Sequence, residues 1–306
     1  MKIPNFGLNK KDLVTISALC LIFLSMAITE LGNTQIPQTI TNISNGQSFI
    51  IDLGSEQDIS KVYLLLKNGY MNVTGYIGTS ENWQKVASNI CQPYNTNNRD
   101  WSVDYYKYHS INVIGNSRYI KLEFGYAFSS AEFAEVVITN SDNQQLTIST
   151  ISSDIEIANL TYLYDEQALI NLPLTYLDQT YFDEIYFART AEQYLNLQSP
   201  YEWTHPPLGK LIQATGITIF GLTPFGWRIM GVLFATLMIP IMYLIGKRLF
   251  GTWIGAFTPS FLITFDFMHF TMGRMGTADT YVVFFAILSQ LFFLIYFQQV
   301  TKKGWK

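Results

Sequence analysis

The polar chemistry of this 306-residue chain concentrates between Tyr181 and Lys210. Two adjacent carboxylates, Asp183 and Glu184, open a helix-like run, and His205-Pro206-Pro207 leads into an apolar segment starting at Leu208. Beyond it, Arg228, Arg274 and Asp279 interrupt sequence that is otherwise almost free of charge. A carboxylate that takes a hydroxyl proton, and cations that hold a departing phosphate, are what a displacement at a phosphate-activated carbon requires. This set supplies both. Asp183 and Glu184 are neighbours, so on a helix their side chains diverge by about 100°, and they do not form one shared-proton pair. One faces the site while the other supports it. The plainer alternative makes Asp183 a helix cap and Glu184 a first-turn acid that complements the dipole.

The remaining residues carry the same choice. Two prolines hold the backbone after His205 extended, so its imidazole contacts phosphate or acceptor, or is an ordinary hydrogen-bonded residue at an interface. No second His or Cys lies at ligand spacing, so neither a metal nor another cofactor is expected. Lys210 either snorkels out of the apolar run or meets a phosphate. Charges beside membrane spans are costly and are usually paired or functional. Arg228 and Asp279 are therefore either an interhelical ion pair or, with Arg274, part of a substrate site.

These residues need elements to position them. Ile185, Ala188, Ala191 and Leu195 recur at helical spacing, which predicts an amphipathic helix suited to a membrane surface. The uncharged run Leu13 to Thr29 reaches about 25 Å as a helix, near a bilayer core, and reads as a first span or a signal peptide. Ile229–Gly246, Leu249–Phe265 and Thr280–Val300 are three further spans, whereas Leu211 to Leu222 is short before Thr223-Pro224 and reads as interfacial or re-entrant. With four crossings, the clusters Lys2/Lys10/Lys11, Lys247/Arg248 and Lys302/Lys303/Lys306 all fall on the cytoplasmic side. Asp183, Glu184, His205, Lys210, Arg228, Arg274 and Asp279 then share the extracytoplasmic face, in a multi-pass protein of the plasma membrane, or of the endoplasmic reticulum in a eukaryote.

Leu31 to Thr180 has a different composition, rich in Asn, Ser, Thr, Tyr and Asp. The stretches 48–53, 61–66, 72–78, 119–124 and 135–139 carry β-branched and aromatic residues between Gly and Asn clusters, a strand rhythm that suggests a sandwich. Trp83, Trp101 and Tyr105 either fill its core or stack on sugars. The net charge of −4 gives no basic footprint, which excludes nucleic acid as a partner. Cys20 lies in an apolar run and Cys91 in the polar stretch, so no disulfide framework is implied. Asn42, Asn72 and Asn159 head Asn-x-Ser/Thr triplets, which matter only in a eukaryotic secretory setting.

The order Asp183-Glu184, His205-Pro206-Pro207-Leu208-Gly209-Lys210, Pro224-Phe225-Gly226-Trp227-Arg228, then Arg274 with Asp279, resembles the protein O-mannosyltransferase family. The likeness covers Tyr181 to the C-terminus, and Gly276 and Thr277 stand where that family more often has apolar residues. It implies a GT-C-like polytopic α-helical membrane fold and transfer of mannose, with inversion, from a polyprenyl-phosphate donor to a hydroxyl acceptor, protein Ser/Thr or a glycan. It puts the acidic pair in the active site, Asp183 as the base with Glu184 orienting it or binding acceptor, and His205, Lys210, Arg228, Arg274 and Asp279 around the substrates. The family has about eleven spans, so a chain ending after four reads as its N-terminal half. Phe49-Ile50-Ile51-Asp52-Leu53-Gly54 with Asp58-Ile59-Ser60-Lys61-Val62 is similar to the opening of discoidin-like jelly rolls, which implies an extracytoplasmic all-β jelly-roll domain with a sugar ligand. The expected organisation is a first span over 1–30, the β-domain over 31–150, a connector and catalytic loop over 151–228, and three spans over 229–306. The competing reading is a membrane-anchored carbohydrate-binding or adhesion module without catalysis.

Overall fold

The computed structural model describes residues 7–79, 82–91, 104–125 and 130–303, in two compact units: Gln35–Thr180, and Met1–Thr34 with Tyr181–Lys306. Trp101, Lys2 and Lys306, all cited above, lie outside the described residues.

The Gln35–Thr180 unit is all-β, as its composition predicts. Its strands are β1 (Thr41–Ser44), β2 (Ser48–Gly69), β3 (Met71–Thr79), β4 (Asn82–Cys91), β5 (Asp104–Gly125), β6 (Ser130–Thr139), β7 (Gln145–Leu146) and β8 (Thr150–Ser152). They form one antiparallel sheet in the order β1-β6-β2-β5-β3-β4, with β7 on β6 and β8 on β2. The expected strands 48–53 and 61–66 are two halves of β2. Between them the β2–β5 register shifts from Asp52 to Gln57, and Gly54 takes a left-handed φ of +79° that few other residues adopt without strain. A bidentate pair from Arg118 to Asp52 braces this bulge, at 2.7 and 2.8 Å. Bulges bend and twist a sheet, and here the curl brings Phe49, Ile51, Val62, Leu64, Ile120, Leu122 and Phe133 into one core. Tyr105 is buried, while Trp83 is half-buried.

The unit extends past its expected end at Thr150. β8 pairs with β2, Gln167 donates to the Glu135 side chain and to the Val136 carbonyl, and Thr180 Oγ1 donates to the Tyr105 carbonyl at 2.6 Å. The stretch 151–180 therefore belongs to the β unit rather than to a connector.

The other unit contains α1 (Lys10–Ile28), α2 (Glu184–Leu195), α3 (Pro207–Phe220), α4 (Pro224–Phe250), α5 (Trp253–Thr264), α6 (Phe267–Gly273) and α7 (Asp279–Lys303). Asn9 and Asp12 form a capping box at the start of α1; Thr223 caps α4 ahead of Pro224. Leu19, Phe23 and Ala27 of α1 pack on Ile229, Val232, Ala235 and Ile239 of α4. Ile241 of α4 meets Leu291 and Ile295 of α7. Among the described residues three helices are long and apolar enough to cross a membrane: Lys10–Ile28, Pro224–Phe250 and Asp279–Thr301. The expected span Leu249–Phe265 is instead a 12-residue helix, about 18 Å long. The polypeptide breaks at Phe265, where the Asp266 side chain takes the His269 N–H at 2.6 Å and starts α6.

Candidate active site

α2 begins in a tight turn. The Tyr181 N–H donates to the Glu184 carboxylate at 2.9 Å, and Phe182 between them holds a φ of +52°, a region bulky residues rarely adopt. This turn separates the two acids. Asp183 stands at the helix N-terminus, half-buried, and its side chain caps nothing. Burial raises its pKa and the nearby Asp279 charge raises it further, while His205 works in the opposite direction.

Glu184 points the other way and is completely buried. Its carboxylate makes a bidentate pair with Arg228, 2.7 Å to Nε and 2.7 Å to Nη2. It also accepts from Trp227 Nε1 at 3.2 Å and from the Gly276 N–H at 2.9 Å. Arg228, itself buried, sends Nη1 to the Leu31 carbonyl at 2.9 Å. One ion pair thus joins α2, α4, the loop before α7 and the segment after α1. The partner of Arg228 is Glu184 and not Asp279, the pairing considered from the sequence. Gly276 shows why a side chain is missing there: a Cβ would lie 2.8 Å from Gln213 Nε2 and 3.0 Å from Trp227, and that same Gln213 nitrogen donates to the carbonyls of Trp227 and Gly276.

The loop between α2 and α3 is organised by Glu202. Lys210, fully buried, ion-pairs with its Oε2 and donates to the carbonyls of Glu202 (2.7 Å) and His205 (3.2 Å). Oε1 accepts from the Thr204 hydroxyl and from the backbone N–H groups of Thr204 and His205, at 2.7 and 3.1 Å. It also lies 3.1 Å from His205 Nδ1. Burial opposes ionisation of Glu202, but the hydrogen bonds from Lys210, Thr204 and His205 outweigh it and hold the carboxyl at about 2. The His205 ring packs on Phe187, 5.4 Å between centroids.

Asp279 opens α7, exposed, with Thr277 Oγ1 3.1 Å from its carboxylate. It lines a cavity of about 280 Å³ together with Asp266, His269, Thr280 and the side chains of Met238 and Met272. Arg274 does not join this group: its Nη2 donates to the carbonyls of Thr29 (2.8 Å) and Glu30 (2.5 Å) and its guanidinium lies over Phe270. Arg274 closes the C-terminal end of α1. Of the seven residues selected from the sequence, Asp279 and His205 each lie within electrostatic reach of Asp183. Glu184 with Arg228, and Lys210 with Glu202, build the frame beneath. Sequence reasoning missed Glu202, Trp227, Gln213 and Gly276. Only Glu202 had a local signal, a carboxylate three positions before a histidine.

In the β unit, Glu135, Asp165 and Glu166 bring carboxylate oxygens within 4.8 Å of one another, but these oxygens accept from Gln167, Thr39 and Gln38. A second cavity, about 500 Å³, is lined there by Gln47, Asn72, Thr74, Glu123 and neighbouring residues.

The run from the histidine loop onward, which carries His205, Lys210, Arg228, Arg274 and Asp279, is the part that resembles known proteins. Residues 204–306 match the dolichyl-phosphate-mannose-protein mannosyltransferases. The resemblance read from the motifs is borne out. A polyprenol-phosphate-mannose–protein mannosyltransferase of Corynebacterium glutamicum is 41% identical over 81 residues, covering 26% of this chain and 16% of the relative. Its counterpart in Mycobacterium tuberculosis is 32% identical over 136 residues, 42% of this chain and 26% of the relative. The matched part of the chain therefore spans about a quarter or less of these curated relatives. Among solved structures, a chain titled "CBM32 of AlyQ in complex with 4,5-unsaturated mannuronic acid" aligns with 34% of this chain and 78% of its own length, at 14% identity and a TM-score of 0.27. The membrane helices and the mannosyltransferase relatives make this a multi-pass membrane protein with a β unit.

Proposed function

We propose that this chain carries part of an inverting glycosyltransferase that moves mannose from a polyprenyl-phosphate carrier to a hydroxyl acceptor, a protein Ser or Thr, outside the cytoplasm. The observation that carries the reading is a half-buried Asp183, free of a capping role, within electrostatic reach of Asp279 and His205, the last two inside the family match. The acceptor oxygen attacks the anomeric carbon as the bond to the phosphate oxygen breaks. Asp183 takes the hydroxyl proton, and the polyprenyl phosphate leaves. A half-buried carboxyl beside another acid is a stronger base than an exposed one, and Asp183 is the member of the pair without structural bonds to keep. Glu184, Arg228 and Lys210 act by holding the frame. Arg274, engaged only through Nη2 among the described residues, offers its remaining nitrogens to the phosphate.

The topology that accompanies this reading puts the N-terminus in the cytoplasm and the β unit and site outside, with α5 and α6 together serving as the broken third span. The β unit takes a sugar ligand in the polar cavity beside Asn72 and Glu123. A reading as an anchored binding module without catalysis gives Asp183, Asp279 and His205 no work, and it is not favoured. The test supplies lipid-linked mannose to purified full-length enzyme and to Asp183→Asn. Transfer is expected to fall by about 10² to 10⁴; undiminished transfer overturns the role of Asp183.

A further inference from the structure

Glu202 does more than neutralise Lys210. Four groups converge on its Oε1: the Thr204 N–H, the Thr204 hydroxyl, the His205 N–H and His205 Nδ1. The loop is held against α2 as well, with the Glu202 N–H on Thr190 Oγ1 at 3.1 Å and the Tyr201 N–H on Gln193 Oε1 at 2.6 Å. Thr204 Oγ1 also lies 3.3 Å from His205 Nδ1. A hydroxyl has one proton, and that of Thr204 goes to Glu202. Nδ1 therefore has no donor to accept from and faces a carboxylate, so it carries the hydrogen. The hydrogen bond at one ring nitrogen sets the state of the other.

We infer that Glu202 is a positioning residue that fixes the Nδ1–H tautomer of His205 and leaves Nε2, on the opposite side of the ring, as a free lone pair in the 58% exposed side chain. For its consequence, though not for its geometry, the inference rests on the transferase reading. The acceptor-hydroxyl proton taken by Asp183 passes to Nε2 and then to an oxygen of the departing phosphate, which returns both side chains to their starting states.

The test reads the ring directly. The protein has three histidines, and ¹⁵N shifts of labelled, detergent-solubilised full-length protein distinguish the two tautomers, with His205 assigned by its loss in His205→Gln. Because removing Glu202 alone would strand the buried Lys210 ammonium, the comparison is between Lys210→Met and Glu202→Met/Lys210→Met. Wild type and Lys210→Met are expected to show Nδ1–H. In the double variant the freed Thr204 hydroxyl donates to Nδ1 and the ring turns to Nε2–H; with lipid-linked mannose its kcat falls below that of Lys210→Met by about 10². Nε2–H in wild type, or one tautomer shared by both variants, overturns the inference. A tautomer switch without transfer in wild type overturns the transferase reading and leaves the positioning role standing.

Discussion

The buried ion pair between Glu184 and Arg228 gives the sharpest expectation about stability. Glu184→Gln leaves the Arg228 guanidinium buried without a counter-charge, and Arg228→Met leaves the Glu184 carboxylate with only its indole and backbone donors. Each is expected to cost about 3–5 kcal/mol, the range for breaking a buried pair by removing one partner. The double variant removes both charges, and the Gln side chain still offers an oxygen to two of the three remaining donors, Tyr181 N, Trp227 Nε1 and Gly276 N. One donor left unsatisfied costs about 1–3 kcal/mol, so the double variant should be less damaged than the sum of the singles by at least about 3 kcal/mol. Trp227, one of six tryptophans, is buried against the pair, so denaturant unfolding of detergent-solubilised protein followed by tryptophan fluorescence includes a reporter at the site. Single variants costing less than about 1 kcal/mol, or additive losses, would falsify the view that this pair frames the site. Asp183→Asn provides the contrast, with transfer lost and the unfolding curve unchanged.

Other expectations follow the same geometry. Burial and then the charge of Asp279 raise the Asp183 pKa, so Asp279→Asn should move the acid limb of the transfer–pH profile to lower pH; a limb that moves upward contradicts the pairing. Glu135 is buried near Asp165 and Glu166, and burial first, then those charges, outweigh its hydrogen bonds and push it from 4.5 to about 8. The folded state then keeps a proton that the unfolded state releases, so stability is highest below pH 4.5 and falls as pH rises toward 8. Glu135→Gln should flatten that slope in unfolding curves, and an unchanged slope would remove Glu135 as its source. Gly276→Ala forces a methyl against Gln213 and Trp227 and should cost about 1–3 kcal/mol, measured by the same unfolding assay. Glu123→Ala should weaken mannoside binding by the full chain, read by saturation-transfer NMR; equal binding would move the sugar site elsewhere.

Periodicity and motif order made the strands, α2 and the Asp183, His205 and Asp279 positions legible, because each rests on a local pattern. What was not legible depends on partners far apart in the chain. Glu184 looks like a first-turn acid until Arg228 and Gly276 are folded onto it, and nothing near Arg274 in the sequence marks the carbonyls at the end of α1 that take its Nη2. The stretch Leu249–Phe265 scanned as a span because hydropathy averages over a helix break. The signal was present in Asp266, an N-cap residue at the end of an apolar run. The β unit ran on to Thr180 because Gln167 and Thr180 bond to strands; the polar composition reaches that far, but the strand rhythm stops near Thr150.

The clamp on Glu184 and Arg228 also holds the two points where the polypeptide leaves the helical unit and comes back. The Leu31 carbonyl is bound by Arg228 and the Tyr181 N–H by Glu184, so departure and return are joined through three hydrogen-bonded contacts. Everything from Gln35 to Thr180 is therefore a graft on a closed socket, and segments whose ends lie this close are the ones that lineages can exchange, shorten or delete while the host still folds.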